Sequence, residues 1–162
     1  CDFTIDRIRS VRTERFKYIK NFFPQRSAMQ PSYRDEWPLT QVTRQLYHDG
    51  KLNDVQAKHF APQRDLEELY DLHTDPDEIN NLASDPAYSN ILAKHRTILT
   101  DWITTTDDQG QYPERESSLK LMLGIWGDMA INPEFEQLRQ QYPDLSGSQY
   151  GLKNHKFKLV TE

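Results

Sequence analysis

The chain has 162 residues, 36% of them apolar and 28% charged, enough for one domain or one domain with a long tail. That wet composition gives a modest core, fed by three Trp, eight Tyr and seven Phe, and surfaces that expect a partner. A net charge of −5, with signs mixed along the chain, argues against a nucleic-acid footprint, and the single cysteine, Cys1, excludes an internal disulfide.

No apolar run approaches the ~20 residues that span a bilayer, and no segment reads as a signal peptide. Because the chain begins with Cys1 and not Met, it is expected to be a fragment or a processed product. A mature bacterial lipoprotein also begins with Cys, but follows it with a flexible linker; here a strand-like segment starts almost at once.

Residues 7–22 read as a hairpin with Thr13-Glu14 at its turn. Phe16, Tyr18, Lys20 and Phe22 share one face by the two-residue period. Arg7, Arg9, Arg12, Arg15, Lys17 and Lys20 thread both strands. They fit a nucleic-acid sheet or a strand pair whose outer face is solvated or acid-paired, and the second reading is preferred.

Residues 23–37, with Pro24 and Pro31, read as an irregular loop. Pro38 suits a first helical turn, Val42, Leu46 and Tyr47 follow at helical spacing, and Gly50 suits the C-terminal cap. Asn53 and Gln56 have the spacing of a capping box for a short helix over 54–60, which Pro62 stops. Residues 66–72 form a strand candidate in which Leu66, Tyr70 and Leu72 alternate with Glu67 and Asp71; Asp75-Pro76 opens a turn that Asn80-Asn81-Leu82 closes.

The long helix is expected over 86–105, capped by Asp85 and started by Pro86. Tyr88, Ile91, Leu92, His95, Ile98, Leu99 and Trp102 make its apolar stripe, to be buried on the hairpin sheet. Beyond Thr106, a second helix is expected from about Pro113 with Leu119, Met122, Leu123 and Trp126. A third follows Asn132-Pro133 with Phe135 and Leu138. Ser146-Gly147-Ser148 reads as a joint and 157–160 as a last strand. The fold class is α+β: a small antiparallel β-sheet packed against one long amphipathic helix, with a mostly helical C-terminal extension. The domain division expected is 1–110 and 111–162.

Two segments resemble the C-terminal end of the sulfatase family. Arg9-Ser10-Val11-Arg12-Thr13-Glu14-Arg15-Phe16-Lys17-Tyr18-Ile19, followed by Asn21-Phe22, is similar to that family's strand pair. Glu67-Glu68-Leu69-Tyr70-Asp71-Leu72, then Asp75-Pro76-Asp77-Glu78-Ile79-Asn80-Asn81-Leu82-Ala83, is similar to its strand and turn, and is the more specific of the two. The likeness falls most on the heparan N-sulfatase (sulfamidase) type, within the alkaline-phosphatase-like superfamily, and covers about 7–110. It implies a subdomain docked on a larger α/β catalytic domain. The parent enzyme implied is a hydrolase of sulfuric esters or sulfamates that uses calcium and a formylglycine, is periplasmic or secreted, and acts on a sulfated carbohydrate.

That chemistry is not legible in these residues. The formylglycine motif, of the type C/S-x-P-S-R, is not what surrounds Cys1, which Asp2-Phe3-Thr4-Ile5 follows. Asp71, His73, Asp75 and Asp77 alternate like the start of a calcium loop, but Pro76 and Leu82 stand where the loop rule asks for Gly and Glu. His48, His59, His73, His95 and His155 lack ligand spacing. Glu67 and Glu68, adjacent on a strand, face opposite sides. No catalytic residue, metal ligand or cofactor is therefore assigned.

One binding expectation remains. Arg26, Tyr33, Arg34 and Trp37 lie in or end the loop 23–37. Guanidinium forks suit sulfate or carboxylate oxygens, and aromatic rings stack on sugars. Either these residues line the substrate rim, or the loop packs on the catalytic domain. The chain is thus expected to be the non-catalytic C-terminal portion of a sulfatase, partnered by its N-terminal catalytic domain. A severed interface would expose an apolar patch and favour self-association. The alternative from another class is a stand-alone binding module with the same subdomain fold.

Overall fold

The computed structural model describes residues 4–143. The joint expected at 146–148 and the strand at 157–160 lie outside the described residues, as do Cys1 and His155. Strands β1 (Ile8–Arg12), β2 (Phe16–Asn21) and β3 (Glu67–Asp71) form one antiparallel sheet in that order. Helices α1 (Pro38–His48), α2 (Asp54–Lys58), α3 (Ser89–Thr106), α4 (Glu116–Trp126) and α5 (Pro133–Gln141) complete the α+β class.

The hairpin register places Val11 opposite Tyr18 and Arg12 opposite Lys17. Its turn sits one residue later than expected. Thr13 pairs with Phe16, its amide donating to the Phe16 carbonyl at 2.8 Å and its hydroxyl taking the Phe16 amide at 3.2 Å. Glu14 and Arg15 therefore make the bend. Thr13 wins the pairing position because its hydroxyl adds a second link across the turn.

β3 joins β2 with Tyr18 opposite Leu69 and Lys20 opposite Glu67. Its outer edge is closed by the turn that follows it. The Leu69 amide donates to Asn81 Oδ1 at 3.0 Å, and the Leu82 amide donates to the Leu69 carbonyl at 2.8 Å. An edge strand is thereby satisfied by a loop rather than left open for another chain. Asp75 holds that turn, its carboxylate accepting the Ile79 and Asn80 amides at 3.1 and 2.8 Å.

The residues of β3 that enter the core differ from the alternation first read. Leu69 is fully buried beside Tyr18, Leu92 and Leu99, whereas Leu66 is exposed. Tyr70 is also buried, on the opposite face, and Asp71 is buried beneath Arg15. Both faces of this strand are covered, so the two-residue period does not separate inside from outside.

The Asp85 cap belongs to a short 3-10 turn, Pro86–Tyr88, whose Ala87 amide it accepts at 2.9 Å. α3 proper begins after it. Leu92, His95 and Leu99 are its buried residues, with Ile91 and Ile103 packed beside them. Ile98 and Trp102 turn outward. From Leu99 the buried stripe continues to Ile103, four residues on, as a 3.6-residue period allows.

The capping box at Asn53 and Gln56 forms in both directions, and α2 closes at Lys58. α1 begins at Pro38 and ends in Gly50, whose φ of 65° is the left-handed cap position. The helix expected from Pro113 begins at Glu116.

The described chain falls into two compact units. One comprises Asp6–Gln30 and Trp37–Tyr112 and holds the sheet, α1, α2 and α3. Its core is Tyr18, Leu69, Leu92 and Leu99. The other gathers, among the described residues, 4–5, Pro31–Glu36 and 113–143. Its core is Leu123, Met129, Ala130, Phe135 and Leu138, with Ile5 packed beside them. The Ile5 amide donates to the buried Asn132 Oδ1 at 2.7 Å. Arg139 ties the connection after α4, donating to the Gly127 and Ala130 carbonyls at 2.8 and 2.7 Å.

Candidate functional site

The four residues singled out as a sugar-binding rim divide between the units. Arg26 lies with its guanidinium 4.0 Å over the Phe23 ring, in a turn closed by its amide on the Phe23 carbonyl. Trp37 precedes α1 as its cap residue and is exposed. Both belong to the sheet-containing unit. Tyr33 and Arg34 belong to the other, in a 3-10 turn (Tyr33–Glu36). There the Arg34 guanidinium sits 4.8 Å from the Tyr33 ring centre, and Asp35 accepts the Ser32 amide at 3.2 Å. The structure thus brings Arg34 to Tyr33, a cation over an aromatic face, and sets Arg26 on a different ring.

A charged constellation lies on the sheet. Glu67 accepts from the Arg96 Nε at 2.8 Å and from the Tyr18 hydroxyl at 2.6 Å, with Lys20 3.8 Å away. The Arg96 fork, helped by Tyr18 and Lys20, pulls the Glu67 carboxyl down to about 2. Burial, then the bond to Glu67, pushes the Tyr18 phenol well above its usual range. On the opposite face Tyr70 donates to Glu68 at 2.6 Å, and Asn21 donates to the same carboxylate. Burial also pushes the Tyr70 phenol up.

General acid or base catalysis needs a group poised near the working pH. A carboxyl held at about 2 and two phenols raised above 10 are poised at neither side of neutrality. What the arrangement does is mechanical: Glu67 on β3 clamps Arg96 on α3, fixing the helix against the strands.

The basic residues threaded through the hairpin meet acids in four places: Arg9 with Asp108, Arg15 with Asp71, Lys17 with Glu78, and Lys20 with Glu67. Arg7 instead donates to the Gln111 carbonyl and lies 3.7 Å over the Phe22 ring. Sequence reading missed Asp108 and Arg96 as partners. They lie 99 and 29 residues from the groups they meet, with no local pattern to announce them.

Asp71 and Asp75, two of the carboxylates that alternate like the start of a calcium loop, are engaged within the fold. Among the described residues no three His, Cys, Asp or Glu side chains are grouped to hold a metal ion. Asp71 is gripped by both Arg15 Nε and Nη2, and Asp75 by two backbone amides. His95 is buried with Nδ1 donating to the Ile91 carbonyl at 2.8 Å and Nε2 facing the Thr13 hydroxyl at 3.3 Å.

No protein-family model matches the chain. Over 124 residues, 76% of its length, it is 40% identical to an ulvan-active sulfatase from Formosa agariphila. Over 42 residues, 26% of its length, it is 60% identical to a Delta 4,5-hexuronate-2-O-sulfatase from Bacteroides thetaiotaomicron. The chain spans 21% of the length of the first relative and 9% of the second. A stretch of 124 residues in this chain passes Gly110 wherever it begins, so the likeness extends beyond the segments that first carried it.

Proposed function

We propose, for a chain that is sulfatase-related over about three quarters of its length, that it is the non-catalytic C-terminal portion of a carbohydrate sulfatase and braces the catalytic domain. The observation that carries this reading is the 40% identity to a sulfatase of which the chain spans one fifth. The internal chemistry supports it. The strongest charged groups here are consumed in clamping a helix to a sheet, and the calcium and formylglycine of such an enzyme belong to the remaining polypeptide.

The bond hydrolysed is a sulfuric ester. The resemblance alone leaves ester and sulfamate open, but one relative is named for a 2-O-sulfated hexuronate and the other for ulvan. An acidic sulfated sugar is accordingly the substrate class. Arg34, carried with Tyr33, is the group of this chain assigned to meet it at the rim; Arg26 and Trp37 lie in the other unit.

The test is direct. The longer polypeptide that includes this chain is expected to release sulfate from a 2-O-sulfated, 4,5-unsaturated hexuronate saccharide, and the 162-residue chain alone to release none. Release by the 162-residue chain would overturn the non-catalytic reading. Failure of the longer polypeptide on every sulfated saccharide would overturn the sulfatase reading.

A further inference from the structure

His95 is the polar residue among the three that α3 buries, at 3% exposure. Its Nδ1 lies 2.8 Å from the carbonyl of Ile91, one helical turn earlier, and its Nε2 lies 3.3 Å from the Thr13 hydroxyl in the hairpin turn. Helix and hairpin belong to the same compact unit. The ring bridges them with both nitrogens engaged.

A carbonyl oxygen only accepts, so Nδ1 holds a proton whatever the charge of the ring. The other nitrogen has two states. With one proton on the ring, Nε2 is a lone pair that needs a donor, and the Thr13 hydroxyl is the donor beside it. With two protons on the ring, Nε2 donates and the same hydroxyl must accept.

Thr13 can do both because of what else surrounds its oxygen. Oγ1 takes the Phe16 amide at 3.2 Å and stands 3.1 Å from the Phe16 carbonyl. That carbonyl receives the Thr13 amide at 2.8 Å and has a second lone pair to offer. The single hydroxyl proton therefore has two places to point, Nε2 and the Phe16 carbonyl. Passing between them takes only rotation about the Cβ–Oγ bond.

The charged groups nearby are engaged with one another. On the hairpin side, Arg15 lies 5.0 Å over the Phe16 ring and is held by Asp71, while Glu14 in the bend is exposed. The Phe16 ring meets His95 edge-on at 6.2 Å, and it meets Tyr88, from the turn before α3, in the same manner. On α3 itself Lys94 is exposed and Arg96 is held by Glu67. None of the ion pairs of the sheet and α3 includes His95.

We propose that His95, Thr13 and Phe16 form a proton-operated latch between α3 and the hairpin: when Nε2 takes a proton from solvent, the Thr13 hydroxyl turns from Nε2 to the Phe16 carbonyl. The helix keeps its link to the turn in both states. The turn gains one hydrogen bond in the protonated state, so a proton taken up on the helix is reported in the strands.

The experiment acidifies the 162-residue chain from about pH 9 down to its acid unfolding and follows the His95 ring nitrogens and the Phe16 carbonyl carbon by NMR. Nδ1 is expected to carry its proton throughout. Nε2 is expected to pass from bare to protonated, and the Phe16 carbonyl carbon to move downfield with the same midpoint. T13S, which keeps the hydroxyl, should preserve that coupling. In T13V His95 should still titrate and the Phe16 carbonyl should cease to follow it. Three results on the unsubstituted chain overturn the latch, whether or not T13V folds: a bare Nδ1 at any pH, an Nε2 that gains no proton before unfolding, or a Phe16 carbonyl that ignores His95. A carbonyl that follows His95 as strongly in T13V overturns it as well.

Discussion

Gly110 is glycine because of a side chain 101 positions earlier. A Cβ built there would fall well inside contact with Arg9 Nη2 and 2.8 Å from its Cζ. The guanidinium lies on that spot because Asp108 holds it, at 2.8 Å to Nε and 3.0 Å to Nη2. Gly110→Ala is therefore expected to push Arg9 off its partner and lower the Tm by about 2–4 °C. The same change made in an Arg9→Ala background should cost almost nothing, because the obstacle is gone. Equal losses in both backgrounds, read by thermal melts of all four proteins, would show that the guanidinium is not what excludes the methyl. On the rim role proposed for it, Arg34→Ala in the longer polypeptide is expected to raise KM for the proposed sulfated-saccharide substrate several-fold with kcat unchanged, as loss of uniform binding does. An unchanged KM would return 33–37 to plain packing. Neither residue pairing was legible in advance: Arg9 and Asp108 carry ordinary surface identities, and only the path of the chain after α3 brings them together.

At the scale of elements, legibility followed the locality of the signal. The capping box of α2, the proline that starts α1 and the glycine that ends it are set by residues within a few positions of each other, and all three formed. The turn of the hairpin shifted by one residue because a threonine hydroxyl, invisible to hydrophobic patterning, decided the pairing. The face of β3 was not readable, since the tertiary structure covers both of its sides. α3 shows the same limit. Its stripe was read as running through Ile98, Leu99 and Trp102; Leu99 is in the core and Ile103 joins it, while Ile98 and Trp102 face outward. The energies should follow that geometry. Leu99→Ala, at 4% exposure and inside the sheet core, is expected to cost about 2–5 kcal/mol. Ile98→Ala, one residue away and outward, is expected to cost under about 1 kcal/mol. Urea unfolding of the two variants decides it, and equal losses would mean that Ile98 is as buried as Leu99. The residues proposed for the rim were chosen on composition alone: Arg and aromatic side chains in one loop. Their division between two units was not, because nothing in 23–37 marks Pro31 as the point where the chain changes unit.

For the whole molecule, the network on the sheet sets how stability depends on pH. Glu67 is held at about 2 by the Arg96 fork, then by Tyr18 and Lys20, against an ordinary 4.5. Asp71 is lowered by Arg15, and Asp108 by Arg9. For each, the folded state binds protons less readily than the unfolded one. The contribution of Glu67 is complete above about pH 4.5 and is lost as pH falls from there toward about 2, and those of Asp71 and Asp108 are lost on the acid side as well. Tyr18 and Tyr70 are displaced the other way, by burial first and then by their bonds to Glu67 and Glu68. Their contribution is complete below the ordinary phenol value of 10.0 and is lost as pH climbs past it. Resistance to urea is thus expected to be level from about pH 5 to 9 and to fall on both sides. Glu67→Gln should flatten the acid side most, since one carboxylate there anchors Arg96, Tyr18 and Lys20 together. Its share is on the order of 1–2 kcal/mol, because Arg96 is half exposed and water screens the pair. Urea midpoints at pH 3, 5, 7, 9 and 11 for both proteins test the sign. A wild-type midpoint that rises between pH 5 and 3 would mean that these carboxylates are not what fastens the helix to the strands.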